Sequence, residues 1–271
     1  MCSRFTLTAR LKDLYEAFAI VPASPVQMPG SMQEPAPRYN IAPTQPILIA
    51  VTGPSGAREL MLVRWGLIPS WVKDPRDFSL LVNARAETAA DKPSFRNAMR
   101  HRRVLVPANG FYEWRRPVNS QKGGGKGRGE PFLLRPRDGG LIFLAGLMET
   151  WSSPDGSEID TGAILTVAAN RAVAQVHDRM PVIIKPEDVD RWLDCMNYEP
   201  REMADLLVPA DPDLLEIIPL GDRVNRVANT GPDIQEPAGP PLTLPKADEG
   251  PAVTDDDNAH GNSAAGQLKL L

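Results

Sequence analysis

Residues 103–114 read RVLVPANGFYEW. Two runs rich in branched and aromatic residues flank Asn109-Gly110, a pair that tolerates the backbone conformations of a tight turn at little steric cost. The expectation is strand, turn, strand. Working outward, the same pattern recurs in PILIAV (46–51), ELMLVRWG (59–66), PFLLRP (131–136), LIFLAGLMETW (141–151), AILTVAAN (163–170), MPVIIK (180–185) and LLEIIPL (214–220). Their lengths and β-branched content suit strands, and Gly, Pro, Asn and Asp punctuate the connections. Helical candidates are fewer: LKDLYEAFAI (11–20), KPSFRNAMRHR (92–102), KPEDVDRWLDCM (185–196) and EPREMADLLV (199–208), the last two opening with Pro and acidic residues that suit a helix N-terminus. The predicted fold class is α+β, predominantly antiparallel β, curled into a barrel-like core with peripheral helices.

Two breaks in composition bound this core. From Pro237 onward the chain lacks aromatic residues and hydrophobic periodicity and is rich in Pro, Gly, Ala and Asp, so a domain over 2–236 is expected, followed by a disordered tail over 237–271. The second break, RRPVNSQKGGGKGRGE (115–130), reads as a mobile, basic hairpin loop.

Composition narrows the function classes. With 271 residues, 42% of them hydrophobic, the chain can bury a proper core. Charged residues from Arg4 to Glu16 interrupt the opening, which excludes a secretory signal, and no apolar run approaches the roughly 18 residues of a membrane span. The expected location is therefore cytoplasmic. Two cysteines and three histidines without CxxC or HxxxH spacing exclude a structural zinc site, and no cofactor motif is present. Cys195 reads as packing on the buried face of a helix. The net charge of −4 conceals an asymmetry: residues 1–135 carry 20 Lys and Arg against 10 Asp and Glu, leaving 10 against 24 for the remainder. A balance of +10 in the first half is the electrostatic signature of a phosphate-backbone binder.

Four stretches are too polar for strand filler. In MCSRF, Cys2 follows the initiator methionine, and removal of Met1 would leave an α-amine and a thiol on one residue. Ordinary pKa values near 8 and 8.5 give both a reactive fraction at neutral pH. A 1,2-aminothiol suits an aldehyde, because the amine forms an imine and the sulfur closes on it as a thiazolidine. In VNARAET, Asn83, Arg85 and Glu87 alternate as if on one face of a strand, offering an amide to orient a substrate and a guanidinium for phosphate. In VPANGFYEW, Glu113 stands between aromatic neighbours, where desolvation would raise its pKa into a range useful for proton transfer. In VHDRMPVII, His177 is a candidate proton shuttle beside Arg179, while Asp178 suits a turn.

Together, MCSRF, RYNIAPTQ, RWGLIPSW, NARAET, PANGFYEW, LTVAAN and HDRMP, in this order across residues 2–236, resemble the SOS-response-associated peptidase (SRAP) family of abasic-site-processing proteins. The resemblance implies a protein that recognises an abasic site in single-stranded DNA and shields it as a thiazolidine crosslink. Carried over, Cys2 is the nucleophile, Glu113 assists ring opening and proton transfer, His177 is the second acid-base group, and Asn83 positions the N-terminus and sugar. Arg4, Arg85 and Arg179 look like phosphate ligands, and Pro43, Trp71 and Trp114 look like an apolar wedge beside the lesion; Thr166 matches a position near the pocket. The glycine-rich loop and acidic tail look like additions to the common domain. The rival readings are a thiol peptidase that removes Met1 or cuts other peptides, a non-covalent reader of single-stranded or modified DNA, and a minor lyase activity. A monomer is the default state.

Overall fold

The computed structural model describes residues 2–20, 36–116 and 129–244. In chain order the elements are β1 (Phe5–Leu7), α1 (Leu11–Ala17), β2 (Arg38–Ile41), β3 (Pro46–Thr52), β4 (Arg58–Trp65), β5 (Asn83–Arg85), α2 (Ala86–Ala89), α3 (Arg96–His101), β6 (Arg103–Ala108), β7 (Gly110–Arg115), β8 (Glu130–Pro136), β9 (Ile142–Ser152), β10 (Glu158–Ala168), β11 (Arg179–Pro181), β12 (Ile183–Ile184), α4 (Val189–Leu193) and β13 (Leu215–Pro219). Pairing runs β10, β4, β3, β6, β9 and back to β10, so five strands close on themselves as a barrel, with β5, β11 and β12 attached to it. A second sheet of five strands lies in the order β13, β8, β7, β1, β2. The barrel-like α+β expectation is met. Two of its pairings, β10 with β4 and β10 with β5, are parallel.

The stretch 103–114 is the corner between the two sheets. All six residues of β6 are buried, and the strand pairs with β3 and β9 inside the barrel, whereas β7 pairs with β1 and β8. The Asn-Gly turn therefore carries the chain from one sheet to the other. Asn109 holds that corner, its Oδ1 accepting the backbone N–H groups of Thr8 and Ala9 at 2.7 and 3.0 Å. Gly110 is required by close approach: a Cβ there would stand 2.7 Å from the Leu134 carbonyl oxygen. Phe5 and Trp65, both fully buried, meet edge to face at 5.2 Å and tie β1 to the barrel. Burial of each such side chain is worth about 1.5–3 kcal/mol.

Several expectations are corrected. The strand over VNARAET stops at Arg85, and Glu87 lies in α2, so Glu87 does not share the alternation of Asn83 and Arg85. Residues 199–208 form a short 3₁₀ turn, Pro200–Met203, in place of a longer helix; with Pro at its start and no following apolar stripe of sufficient length, tertiary contacts at Met203 and Leu206 hold it. Cys195 is not on a helix face, because α4 ends at Leu193 and Cys195 sits half-buried in the following turn. The buried cation there is Arg103, whose guanidinium donates to the carbonyls of Trp192, Met99, Asp194 and Tyr198 at 2.8–3.1 Å.

The ordered chain also runs past 236. Ala238 donates to the Pro219 carbonyl at 2.8 Å and Leu242 to that of Ile217 at 2.8 Å, while Leu242 and Leu244 pack on the core. Short Pro-rich segments lack periodicity, but these few apolar residues find a ready-made edge at β13. The rest of the expected tail, 245–271, lies outside the described residues, as does 117–128 of the glycine-rich loop. The strands flanking that loop, β7 and β8, do pair as an antiparallel hairpin. Among the described residues no helix is long and apolar enough to cross a membrane.

Candidate functional site

The register of β1 on β7 decides what surrounds Cys2. Phe5 pairs with Phe111, and Tyr112 donates its backbone N–H to the Arg4 carbonyl at 2.9 Å, so the residues before β1 run beside Glu113. Cys2 is 1% exposed, and its thiol points at the Arg4 carbonyl, Sγ to O 3.7 Å. From the barrel side, Asn83 donates through Nδ2 to the Cys2 carbonyl at 2.7 Å. This bond stitches the N-terminal segment to the rim formed by β5 and β10. The Asn83 Oδ1 is buried without a hydrogen-bond partner among the described residues, leaving an acceptor open beside the bond it makes.

Three titratable groups meet there. Burial, reinforced by the charge of Glu113, pushes the Cys2 thiol far up from its ordinary value, so the sulfur is protonated at neutral pH. The sequence-based picture of a thiol with a ready thiolate fraction is corrected by this burial. Glu113, 2% exposed, is raised by burial from 4.5 to about 7, with Asp178 adding to the effect. Burial lowers His177, so its imidazole is neutral. The Arg179 backbone N–H donates to His177 Nδ1 at 3.0 Å, which places the ring proton on Nε2. Asp178 Oδ1 also stands 2.9 Å from Nδ1, but that carboxylate is 88% exposed and can swing into solvent, so the backbone bond is the one that sets the tautomer.

The arginines are less open than the sequence implied. Arg4 donates Nη1 to Asn40 Oδ1 at 2.7 Å and to the Val224 carbonyl at 3.1 Å, and its guanidinium lies 5.6 Å from the Trp114 ring. Trp114 in turn donates Nε1 to Asn225 at 2.7 Å. Asn40 is the hub of this group, its amide also reaching the carbonyls of Arg226 and Asn229 at 3.1 and 2.8 Å. Arg179 is held bidentately by Glu87, 2.6 and 2.8 Å, and bonds the Thr166 carbonyl. Arg85 alone of the three is exposed, and it makes no side-chain hydrogen bond with the described residues.

The wedge residues divide. Trp114 is half-buried within the Arg4 group, whereas Trp71 lies on the 66–82 loop, 57% exposed, edge-on to Phe78 at 5.5 Å. Pro43 sits half-buried in the turn after β2. No hydrogen bond or ring contact among the described residues joins Trp71 or Pro43 to Cys2. Thr166 is fully buried, its hydroxyl donating to the Ala84 carbonyl at 3.4 Å, so it backs the rim without facing solvent. Sequence reading missed Asn40 and Glu87 as partners of the arginines. A lone Asn in the apolar strand RYNI was the available signal for the first; nothing in sequence announces a contact spanning residues 87 and 179.

Residues 1–227, all three titratable groups included, match the SOS response associated peptidase (SRAP) family. The chain belongs to that family. It is 37% identical over 236 residues to the abasic site processing protein YoqW of Bacillus subtilis (strain 168), covering 87% of this chain and 99% of that protein. It is 30% identical to the abasic site processing protein YedK of Escherichia coli (strain K12), covering 88% and 100% of the two chains. The fold matches a crystal structure of a protein from Bacteroides thetaiotaomicron with a TM-score of 0.74 at 24% identity, over 88% of this chain and all of that one.

Proposed function

We propose that this SRAP protein captures abasic sites in single-stranded DNA, forming a thiazolidine between the lesion and the N-terminal aminothiol of Cys2 once Met1 is removed. The observation that carries the reading is the clamp on Cys2: a buried N-terminal cysteine held at its carbonyl by Asn83 beside a carboxyl raised to about 7. The names of the relatives support abasic-site handling in the same direction.

The chemistry balances with the groups present. Glu113, half ionised near pH 7, takes the C1 hydroxyl proton and returns it to the ring oxygen as the bond from C1 to that oxygen breaks, opening the sugar to its C1 aldehyde. The Cys2 amine adds to that aldehyde, and the carbinolamine loses water to give an imine; Asn83, with its acceptor open, orients the amine. The thiol then adds to the imine carbon, its proton passing to Glu113 and on to the ring nitrogen. A thiol kept protonated by burial is suited to this late, assisted step. The same protonation disfavours the peptidase reading, which needs a thiolate from the start. His177, neutral with Nε2–H, is a hydrogen-bond donor to the sugar or the leaving oxygen. Arg85 and Arg179 take phosphates, Arg179 exchanging Glu87 for one of them. Arg4 carries Trp114 in place, and Trp114 with Pro43 and Trp71 borders the gap left by the missing base. A position without a base spares the cost of unstacking one, which favours the lesion over intact strand.

Intact mass spectrometry before and after incubation with an oligonucleotide carrying one abasic site tests the reading. Loss of Met1 and a stable adduct of protein plus DNA mass are expected. No adduct, or one that survives prior blocking of the α-amine, overturns it.

A further inference from the structure

Beside the Cys2 group, α2, α3 and the 3₁₀ turn Pro200–Met203 enclose a groove of about 980 Å³. Neither Cys2, Glu113 nor His177 lines it. Its near wall includes Glu87, the residue that holds Arg179, so the groove begins where the rim of the Cys2 group ends. Such a volume lies in the range of small-molecule and nucleotide sites.

The wall carries Arg96, Arg100 and Arg201 against Glu87 and Glu199. Both carboxylates are already spent, Glu87 on Arg179 and Glu199 on Arg100 at 3.1 Å. Arg96 and Arg201 are exposed and make no side-chain hydrogen bond or ion pair with the described residues, and Pro200, Ala204 and Leu207 add carbon surface to the lining. Two uncommitted guanidiniums in a groove that also offers carbon surface suit a sugar-phosphate chain, with phosphates on the cations and sugar and base faces on carbon.

We propose that this groove binds the single-stranded DNA flanking the abasic site on one side, with Arg96 and Arg201 each on a phosphate. The inference rests on the reading of the Cys2 group as an abasic-site trap and adds a second, non-reacting footprint to it. Continuity selects this occupant over an acidic peptide: a strand whose lesion sits at Cys2 and whose phosphate engages Arg179 passes Glu87 on its way into the groove. The footprint makes affinity depend on the length of one flank, while the covalent step stays with Cys2.

The test uses the full chain and labelled oligonucleotides carrying a tetrahydrofuran site, which cannot open to an aldehyde and so reports binding alone. One has long flanks; two others are trimmed close to the lesion on the 5′ or the 3′ side. R96A/R201A, both at exposed positions, should bind the long strand roughly tenfold more weakly, with a salt slope flatter by about 1.4, two single-strand phosphate contacts at about 0.7 each. Trimming one particular flank should remove the difference between variant and wild type, and the variant should still crosslink a true abasic strand at saturation. Equal affinity of variant and wild type for the long strand overturns the groove, as does an equal loss on both trimmed strands. Failure of wild type to crosslink a true abasic strand would instead sink the trap reading, while the binding measurement still reports on the groove.

Discussion

The protein has two cysteines in contrasting surroundings. Cys2 is buried against Glu113, with its carbonyl tied by Asn83 and a neutral histidine just before β11. Cys195 is half-buried in a turn beside Arg103, whose guanidinium is satisfied by four backbone carbonyls. Around Cys195 the polar groups complete the fold; around Cys2 a carboxyl raised by burial and a neutral imidazole come together, with the Asn83 Oδ1 unpaired among the described residues. The lesson is that a cysteine's neighbours, more than its exposure, make it a candidate for chemistry.

The sharpest way to break this contrast is Cys2→Ala. The stable adduct should vanish on denaturing gels, leaving a reversible imine and more strand scission by β-elimination; an unchanged adduct would make the two cysteines equivalent and the aminothiol irrelevant. Glu113→Gln comes next. Crosslinking should slow on the order of 10²-fold, the lower end for removal of a general acid-base group. The wild-type rate should show an inflection near pH 7 that the variant lacks. Stability should move the opposite way. A carboxyl raised from 4.5 to about 7 in the folded state favours folding at low pH and loses that contribution as pH rises from 4.5 through 7. At pH 8 the variant should therefore be the more stable, by on the order of 2–3 kcal/mol in denaturant titrations; equal stability at pH 8 would mean that Glu113 is not held in a desolvated site.

Asn83→Ala removes one hydrogen bond to the Cys2 carbonyl, worth about 1 kcal/mol, and should slow single-turnover crosslinking roughly tenfold or less. DNA affinity measured on a tetrahydrofuran strand should stay constant, because the bond Asn83 makes is to the Cys2 carbonyl and the proposed phosphate ligands are arginines. The smallest effect belongs to Cys195→Ala, where adduct yield and rate should match wild type in the same gel assay. A marked loss of crosslinking there would erase the distinction between the two regions.

Much of the fold was legible because its causes are local. Alternation and β-branching in PILIAV or LIFLAGLMETW, and the turn chemistry of Asn109-Gly110, act within a few residues. Where expectation failed, a distant partner decided the outcome. Residues 237–244 have no pattern of their own and are ordered by the edge of β13. Cys195 was read into a helix that ends two residues earlier, at Leu193, where the Trp192 and Asp194 carbonyls turn to Arg103. In the candidate site, the residue types at Cys2, Asn83, Glu113 and His177 were visible as polar or reactive residues within or beside apolar strands, but whether the arginines beside them were open was not.

The sequence by itself determined the strand-rich class, the basic bias of the first half and the presence of a cysteine at position 2, since composition and short-range pattern are properties of the chain alone. Only the tertiary structure decided that β10 and β9 close a barrel, that the 103–114 corner delivers Glu113 to Cys2, and that Glu87 occupies Arg179. The reason is physical: a pKa near 7 for Glu113 and a committed guanidinium at Arg179 are set by desolvation and by charges brought close through space, and the burial that raises the one exists only when both sheets have packed.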